Sequence, residues 1–386
     1  MRTKFILTMA GFIILYGAGN YYIGLRICQS IVSVLAPGLI SYYWIIFSIL
    51  ASCYFFGRLG AVYFPGDLSD KMIWSGAYWL GLAFYLGLFW FTYDVLAMVS
   101  PLRDFLPHGT NSNSIGVGFS ILAATIIIVV YGARKACTPK IHHYDIVINK
   151  KAGGCTDLHV VFISDLHLGL LVGRKRLIQA VELINELKPD LVLMPGDILD
   201  ENIGAFVENG MPEILRGIES RFGVYGILGS HEYIYGHSEK SLTYLRQGGI
   251  RILRDQYIKL DNDVYIAGRD DLFREKLVGT PRQELSKVLQ GCNLEFPIIL
   301  MDHQPVALEE GLSQGVDLQL SGHTHHGQIF PINLLTQRFF EIDWGYLRKG
   351  AYQVIVSSGY GTWGPPIRVG TQSEIVDISI KFIPPA

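Results

Sequence analysis

Five segments of the sequence carry aspartate or histidine directly after a short apolar run. Each run is rich in β-branched residues, which is typical of a buried strand. The residues that follow the runs are, in chain order, Asp165 and His167, then Asp197, then His231, then His303, then His323 and His325. One such block is an ordinary loop. Five in order, each after a strand, indicate a metal site.

The residue types suit two divalent ions. Ions about 3.5–4 Å apart need a shared ligand, and the carboxylate of Asp197 is predicted to bridge them. The D-x-H and H-x-H spacings place alternate side chains on one face. Mixed carboxylate and imidazole ligands favour Mn, Fe, Zn or Co. The remaining predicted ligands are Asp165, His167 and His325 for one ion, and His303 and His323 for the other.

Short strands alternate with amphipathic helices from about residue 145 onward, and strands dominate later. Helices are predicted over 177–187 and 238–247, and a hairpin-like pair over 257–260 and 264–268. This pattern predicts an α/β domain with two packed sheets, in which polar residues collect where strands end. Glycines at 196, 229 and 322 are expected to let the backbone turn tightly there.

The first third of the chain has a different composition. Residues 1–133 hold ten charged side chains, whereas the 386-residue chain as a whole is 17% charged. Four apolar runs, at about 5–25, 39–64, 72–99 and 114–133, each meet the roughly 20 residues that a membrane helix needs. We expect a transmembrane region over 1–135, a linker and first strand over 136–156, and a catalytic domain over 157–386.

The distribution of charged residues predicts the membrane orientation of the chain and the class of its partners. Arg2 and Lys4 precede the first apolar run, and Arg134, Lys135 and Lys140 follow the last. This bias predicts a multi-pass cell-membrane protein whose globular domain is cytoplasmic. A formal net charge of −2 argues against nucleic acid as the main partner. Asp94, near the end of an apolar run, is read as an interfacial residue beside Arg103 or paired with Arg58, the alternative being a functional intramembrane carboxylate.

The ordered blocks D-x-H, G-D, G-S-H-E, H and G-H-x-H resemble the calcineurin-like metallophosphoesterase superfamily over residues 157–386. With the apolar N-terminal runs, the whole chain is similar to the membrane-anchored branch of that superfamily. The stretches 322–331 and 361–368 are close to that branch. The resemblance implies an αββα sandwich with two metal ions and hydrolysis of phosphate monoesters or diesters.

The resemblance also implies residue roles. The metal ligands are Asp165, His167, Asp197, His303, His323 and His325, with Ser230 standing where the family has an Asn ligand. His231 matches the histidine that contacts the phosphate and helps the leaving group depart. The implied mechanism is in-line attack on phosphorus by a hydroxide that bridges the metals. Serine is a shorter, poorer ligand, so weaker binding of the second metal is expected.

Two further residues are candidate substrate contacts. His326 stands where the family usually has glycine, and it is expected either to add a ligand or to line the mouth of the site. Arg368 lies beside a glycine-rich loop, which suits phosphate recognition, and the alternative is a surface residue beside a double-proline turn.

The combined expectation is a membrane-anchored phosphatase or phosphodiesterase. Its substrate would be a phosphate ester or pyrophosphate, and a lipid-linked one is favoured because anchoring concentrates the enzyme where such substrates are. The alternative is a membrane scaffold or sensor that has lost catalysis, with Ser230 as the first sign of decay.

Overall fold

The computed structural model describes residues 2–99, 112–200, 203–234, 236 and 238–384, with side chains described from Ala10 and, after the first gap, from Ile115. The chain clusters into two units. One contains residues 1–133 with Gly364–Ile367, and the other contains Arg134–Trp363 with Arg368–Ala386. The side chains of Arg2 and Lys4, on which the predicted membrane orientation rests in part, lie outside the described residues.

The first unit is helical. Its α-helices are α1 Arg2–Ile27, α2 Ser33–Leu35, α3 Ile40–Tyr63, α4 Asp67–Met98 and α5 Ser112–Cys137, with a π-helical turn at Cys28–Val32 and a 3₁₀ turn at Pro37–Leu39. Within the described residues, three helical stretches are long and apolar enough to cross a membrane: Pro37–Tyr63, Asp67–Met98 and Ile115–Cys137. A count of four spans is therefore not confirmed.

Glycine allows α3 and α4 to pack closely. A Cβ atom on Gly76 would lie 2.2 Å from the backbone nitrogen of Tyr54, so only glycine fits there. Asp94 pairs with Arg26 at 2.5 Å and accepts a hydrogen bond from Tyr22. The sequence-based pairing of Asp94 with Arg58 is wrong, because Arg26 on α1 supplies the countercharge.

The second unit holds two six-stranded sheets. The strands are β1 Lys140–Ile148, β2 Asp157–Phe162, β3 Leu191–Pro195, β4 Val224–Ile227, β5 Arg251–Ile252, β6 Gln256–Lys259, β7 Tyr265–Gly268, β8 Ile298–Met301, β9 Leu318–Ser321, β10 Gly345–Lys349, β11 Tyr352–Val356 and β12 Glu374–Phe382. Their orders are β1-β12-β2-β3-β4-β5 and β10-β11-β9-β8-β7-β6. Neighbours β2 to β5 are parallel, as are β7, β8, β9 and β11, whereas β12 runs antiparallel to β2.

Helices of this unit connect the strands. They are α6 Arg174–Leu187, α7 Ile203–Glu208, α8 Met211–Leu215, α9 Ser230–Ile234, α10 Ser238–Gln247, α11 Phe273–Val278, α12 Leu285–Val288, α13 Leu308–Ser313 and α14 Ile332–Phe339, with a 3₁₀ turn at His325–Gly327. The helix predicted over 177–187 begins three residues earlier, and the one over 238–247 is confirmed.

Three apolar clusters show how the layers pack. One joins inner-facing residues of both sheets, including Phe162, Leu193, Ile299 and Leu320. A second joins the other face of the first sheet to helices such as α6, and a third joins the other face of the second sheet to α12 and α13. The predicted α/β domain with two packed sheets is confirmed, and its loops meet where parallel strands of both sheets end.

Candidate metal centre

Parallel neighbours deliver the candidate ligands to one place. Asp165 follows β2 and Asp197 follows the adjacent β3, and backbone pairing continues past the strands, with His167 N–H donating to the carbonyl of Asp197 at 3.0 Å. In the second sheet, β8 leads to His303 and β9 to His323. The amide of Gly322 donates to the carbonyl of His303 at 2.9 Å, which holds these two loops side by side.

Among the described residues, three groups of side chains converge in this region. In each group, one potential ligand atom per residue lies within 4.8 Å of the others. The groups are Asp165 with His167 and His325, Asp197 with His303 and His323, and His167 with Asp200 and His231. The first two are the sets predicted for the two ions, so folding brings them together as expected, while their role as ligands stays a prediction.

Asp197 lies at the centre of the cluster. Its Oδ2 is 3.1 Å from His303 Nε2, 4.0 Å from His167 Nε2 and 3.4 Å from Ser230 Oγ. Its Oδ1 accepts the backbone N–H of His231 at 2.8 Å. Asp197 thus has neighbours from both predicted ligand sets, as its predicted bridging role requires.

The ring of His303 shows that a cation fits this site. Its Nδ1 is 2.8 Å from the carbonyl of Pro195, which only accepts, so Nδ1 carries a hydrogen. In the neutral ring Nε2 then holds a lone pair, and this lone pair faces the Asp197 carboxylate. Two acceptors 3.1 Å apart require a proton or a metal ion between them. The residues present therefore fit a divalent metal.

Burial sets the charge state of the other imidazoles. It lowers the pKa of His167 and of His323 to about 3, and that of His325 well below its usual value. Neutral imidazoles offer lone pairs, which is the form that binds metal. Burial raises the pKa of Asp165 to about 6. It would raise that of Asp197 too, but the positive charges of His303 and His231 hold the pKa of Asp197 well below its usual range.

Backbone strain is concentrated at the same residues. Among the described non-glycine residues, eleven have a positive φ, and six of these belong to the candidate site: Asp165, His167, Asp197, His323, His325 and His326. Left-handed conformations of such residues cost energy and cluster at functional sites. The surrounding structure maintains them here because the strands end in tightly bonded loops.

The glycines of the motifs serve two different purposes. Gly196 has φ +91°, so it makes the tight turn that the sequence predicted. Gly229 and Gly322 are different, because the constraint there is space. A Cβ on Gly229 would lie 2.3 Å from Asp197 Oδ1, and one on Gly322 would lie 2.1 Å from Asp165 Oδ2.

His231 belongs to an acid–base pair that sequence reasoning missed. Its Nδ1 lies 3.2 Å from Asp200 Oδ1, and its ring is 4.4 Å from that of His167. Burial lowers the pKa of His231, but the charges of Asp197 and Asp200 outweigh burial and raise it to about 9. Asp200 lies only three residues after Asp197, and this short spacing could have identified it as a candidate site residue.

Glu232 is a second residue that the sequence analysis left without a role. It is buried on α9, and its carboxylate accepts the backbone N–H groups of Leu199 at 2.9 Å and of Gly229 at 2.8 Å. It therefore ties the loop after β3 to the loop after β4. Burial and then the charge of Asp197 raise its pKa to about 7.

The remaining predicted residues lie in different surroundings. Ser230 is buried at the start of α9 beside Asp197. His326 turns to Asp343, with Nδ1 2.9 Å from Oδ2, and is outside the three convergent groups of described residues.

Arg368 is fully buried. Its Nη2 donates to the carbonyls of Ser358, Gly359 and Gly361 at 2.7–2.9 Å and lies 3.3 Å from His325 Nδ1. The reading of Arg368 as a surface residue is wrong, because the loop after β11 wraps around its guanidinium.

Comparisons with known proteins agree with this geometry. The profile of the calcineurin-like phosphoesterase family matches residues 158–327. A Danio rerio protein named "Transmembrane protein with metallophosphoesterase domain" is 34% identical over 67% of this chain and 62% of its own length. A Bos taurus protein of the same name is 30% identical, and it too is matched over 62% of its own length. The chain thus spans about three fifths of these relatives.

A bacterial relative is matched over most of its length. A Campylobacter jejuni protein named as a metallophosphoesterase is 30% identical over 96% of both chains. Such coverage, together with the matched profile, establishes the family and agrees with its membrane-anchored branch. The chain belongs to the calcineurin-like metallophosphoesterases, a family of metal-dependent phosphoric ester hydrolases.

Proposed function

We propose that this chain is a membrane-anchored phosphoesterase that hydrolyses a phosphate ester or pyrophosphate with a pair of divalent metal ions. The observation that carries the proposal is the convergence of two Asp/His groups at one end of the two sheets, with Asp197 adjoining both. The ions would be Mn, Fe, Zn or Co.

The ligand sets follow from the two groups. Asp165, His167 and His325 would hold one ion, and His303 with His323 the other, with Asp197 shared. When bound, the ions supply Lewis acidity toward phosphate oxygens and make water acidic enough to react. Ser230, beside Asp197 Oδ2, is a weak neutral ligand in the place of the family's asparagine.

His231 is the proposed proton donor. Its pKa is raised to about 9, so the metal-free ring is protonated at neutral pH, and Asp200 holds its Nδ1 side. This leaves Nε2 to stabilise charge on a phosphate oxygen and to protonate the departing alkoxide.

Arg368 and His326 take supporting roles in this proposal. The guanidinium of Arg368 is occupied by the loop carbonyls and lies against His325, so it positions that ligand. His326 is held by Asp343 and lines the mouth of the site.

Membrane anchoring narrows the substrate class. We propose four spans within residues 1–135, a linker with the first strand over 136–156, and a cytoplasmic catalytic domain over 157–386. An enzyme fixed at a bilayer meets membrane-borne substrates at high local concentration. A lipid-linked phosphate ester or pyrophosphate is therefore the favoured substrate.

The test is turnover of a chromogenic phosphodiester and a chromogenic phosphomonoester by the full chain, with Mn²⁺ or with chelator. Metal-dependent turnover that is lost in Asp197→Asn supports the proposal, and the better ester narrows the substrate. The alternative, a scaffold or sensor with a weakened site, predicts no turnover on either ester and fewer than two bound metals per chain. Elemental analysis of bound metal therefore distinguishes the enzyme from the scaffold or sensor.

A further inference from the structure

Helix α14 exposes three large apolar side chains. Leu334 and Leu335 are each 56% exposed and Phe339 is 79% exposed. The inward side is mostly polar: Thr336 donates to Asp343 Oδ2 at 2.7 Å and Asn333 Oδ1 is buried, with Ile332 half-buried beside them. A helix of a water-soluble protein turns its apolar stripe toward the core. We call Leu334, Leu335 and Phe339 the α14 face.

The α14 face lies next to the candidate ligands along the chain and in space. The 3₁₀ turn His325–Gly327 leads directly to α14, and a Cβ on Gly327 would lie 2.3 Å from the backbone nitrogen of Asn333. On the following segment, the ring of Phe340 is 6.3 Å from that of His323. Whatever covers the α14 face therefore lies close to the metal centre.

A second exposed aromatic residue stands beside the site. Trp363 is 57% exposed, and its ring is 6.2 Å from that of His231. Two hydrogen bonds fix its backbone to Gln328, which ends the 3₁₀ turn before α14. Tryptophan is enriched where proteins meet the interfacial layer of a bilayer.

The chain itself indicates what covers this face. Its described residues include three helices that could span a membrane, and the last of these ends at Cys137, with two residues between it and the start of β1 at Lys140. Three consecutive Cα–Cα steps from Cys137 to Lys140 span at most about 11 Å, so the start of β1 stays close to a bilayer that this helix crosses. Arg338 is exposed beside the α14 face and suits anionic headgroups.

We propose that the α14 face inserts into the interfacial layer of the bilayer and so holds the mouth of the metal centre at the lipid surface. The surface is an apolar one that binds lipid, and its occupant is the membrane itself. The consequence, that a lipid-linked ester reaches the site without leaving the bilayer, rests on the proposed function.

Fluorescent labels in full-length protein in nanodiscs test this directly. Leu335→Cys and Phe339→Cys carry an environment-sensitive label, and Lys240→Cys, on exposed α10, is the matched control. The unsubstituted chain gives the background from native cysteines such as the exposed Cys137. We expect blue-shifted emission at 335 and 339, and roughly twofold stronger quenching by a lipid-borne quencher than at 240.

Three results would overturn the proposal. Labels at 335 and 339 could remain in water, as at 240. They could shift only as the protein concentration rises, which would make a second copy the occupant. They could shift only when a lipid-linked ester is added, which would make the substrate's acyl chain the occupant.

A pair of charge variants links the surface to turnover. Phe339→Asp is expected to reduce activity on an ester embedded in vesicles while leaving turnover of a water-soluble chromogenic ester unchanged, and Gln337→Asp on the same helix should change neither. Equal turnover of the embedded ester by both variants contradicts the proposal. If the unsubstituted protein does not turn over the water-soluble ester, the proposed function is contradicted instead. The labelling result does not depend on turnover.

Discussion

Charge balance at single residues explains why the site suits cations. The imidazoles of His167, His323 and His325 are neutral at neutral pH, and Asp197 stays ionised because His303 and His231 lie close to it. Burial of a carboxylate among lone pairs is unfavourable unless positive charge is supplied.

Ser230→Asn is expected to tighten binding of the second metal ion. The serine hydroxyl lies 3.4 Å from Asp197 Oδ2, and an asparagine carbonyl would reach further as a neutral ligand. Calorimetric titration of metal-free protein with Mn²⁺ should show a lower Kd for the weaker site, with the stronger site unchanged. An unchanged Kd for both sites would contradict this account of Ser230.

Asp200→Asn is expected to lower the pKa of His231. Asp197 and Asp200 together raise that pKa to about 9 in the metal-free chain, and the substitution removes one of the two charges. The protonated ring is then lost at a lower pH, so the alkaline limb of the rate profile moves to lower pH as well. NMR titration of the His231 ring in metal-free protein is the direct measurement. A pKa that stays at the value of the unsubstituted chain would show that Asp200 does not act on the ring.

Arg368→Met is expected to destabilise the domain by about 3 kcal/mol, because the carbonyls of Ser358, Gly359 and Gly361 lose a charged donor. Burial lowers the pKa of Arg368 only to about 10, so the guanidinium is charged at neutral pH. Denaturant unfolding measures the loss.

The positioning role of Arg368 has its own readout. Arg368→Lys keeps the positive charge but not the planar, multi-donor guanidinium. It should therefore destabilise the domain less than Arg368→Met, yet still weaken binding of the ion proposed to be held by His325. Metal affinity equal to that of the unsubstituted chain would leave Arg368 a purely structural residue.

At the scale of elements, the parallel pair β1 and β12 has a pH-dependent contact. His143 on β1 lies 3.0 Å from Asp377 on β12, and this hydrogen bond raises the pKa of His143. A raised histidine pKa stabilises the fold below the unfolded value of about 6.5, and this stabilisation is lost as pH rises through the folded pKa. His143→Gln should therefore lower the melting temperature at pH 5.5 and leave it unchanged at pH 9. An equal change at both pH values would refute the contribution of this charge.

At the scale of the whole molecule, we expect metal binding and folding of the catalytic domain to be coupled. The proposed ligands come from loops of both sheets, so an ion between them would bind only the folded chain. Mn²⁺ at about 100 times its Kd should stabilise the domain by about 2.7 kcal/mol. Melting in Mn²⁺ and in chelator measures this, with Asp197→Asn showing a much smaller difference. Identical melting curves for the unsubstituted chain would mean that the groups do not bind the ion.

The sequence was sufficient for the parts of this protein that depend on local pattern. Apolar runs ending in aspartate or histidine predicted the parallel strands and the residues at their ends, because strand periodicity and strand-end chemistry are local properties. The weaker strands were missed for the same reason. β10 with the sequence GYLRK and the two-residue β5 carry little apolar pattern, and their pairing partners make them strands.

Tertiary structure alone decided which distant residues meet. The pairing of Asp94 with Arg26, the enclosure of Arg368 by the loop after β11, and the tie from Glu232 to two loops all join residues far apart in the chain. The exposure of Leu334, Leu335 and Phe339 on α14 is similar, since a helical pattern does not say which side is inward. The sequence determined which functional groups this protein has, and packing decided which way each group faces. The reason is that side-chain type is fixed at each position, whereas burial is a property of the whole fold.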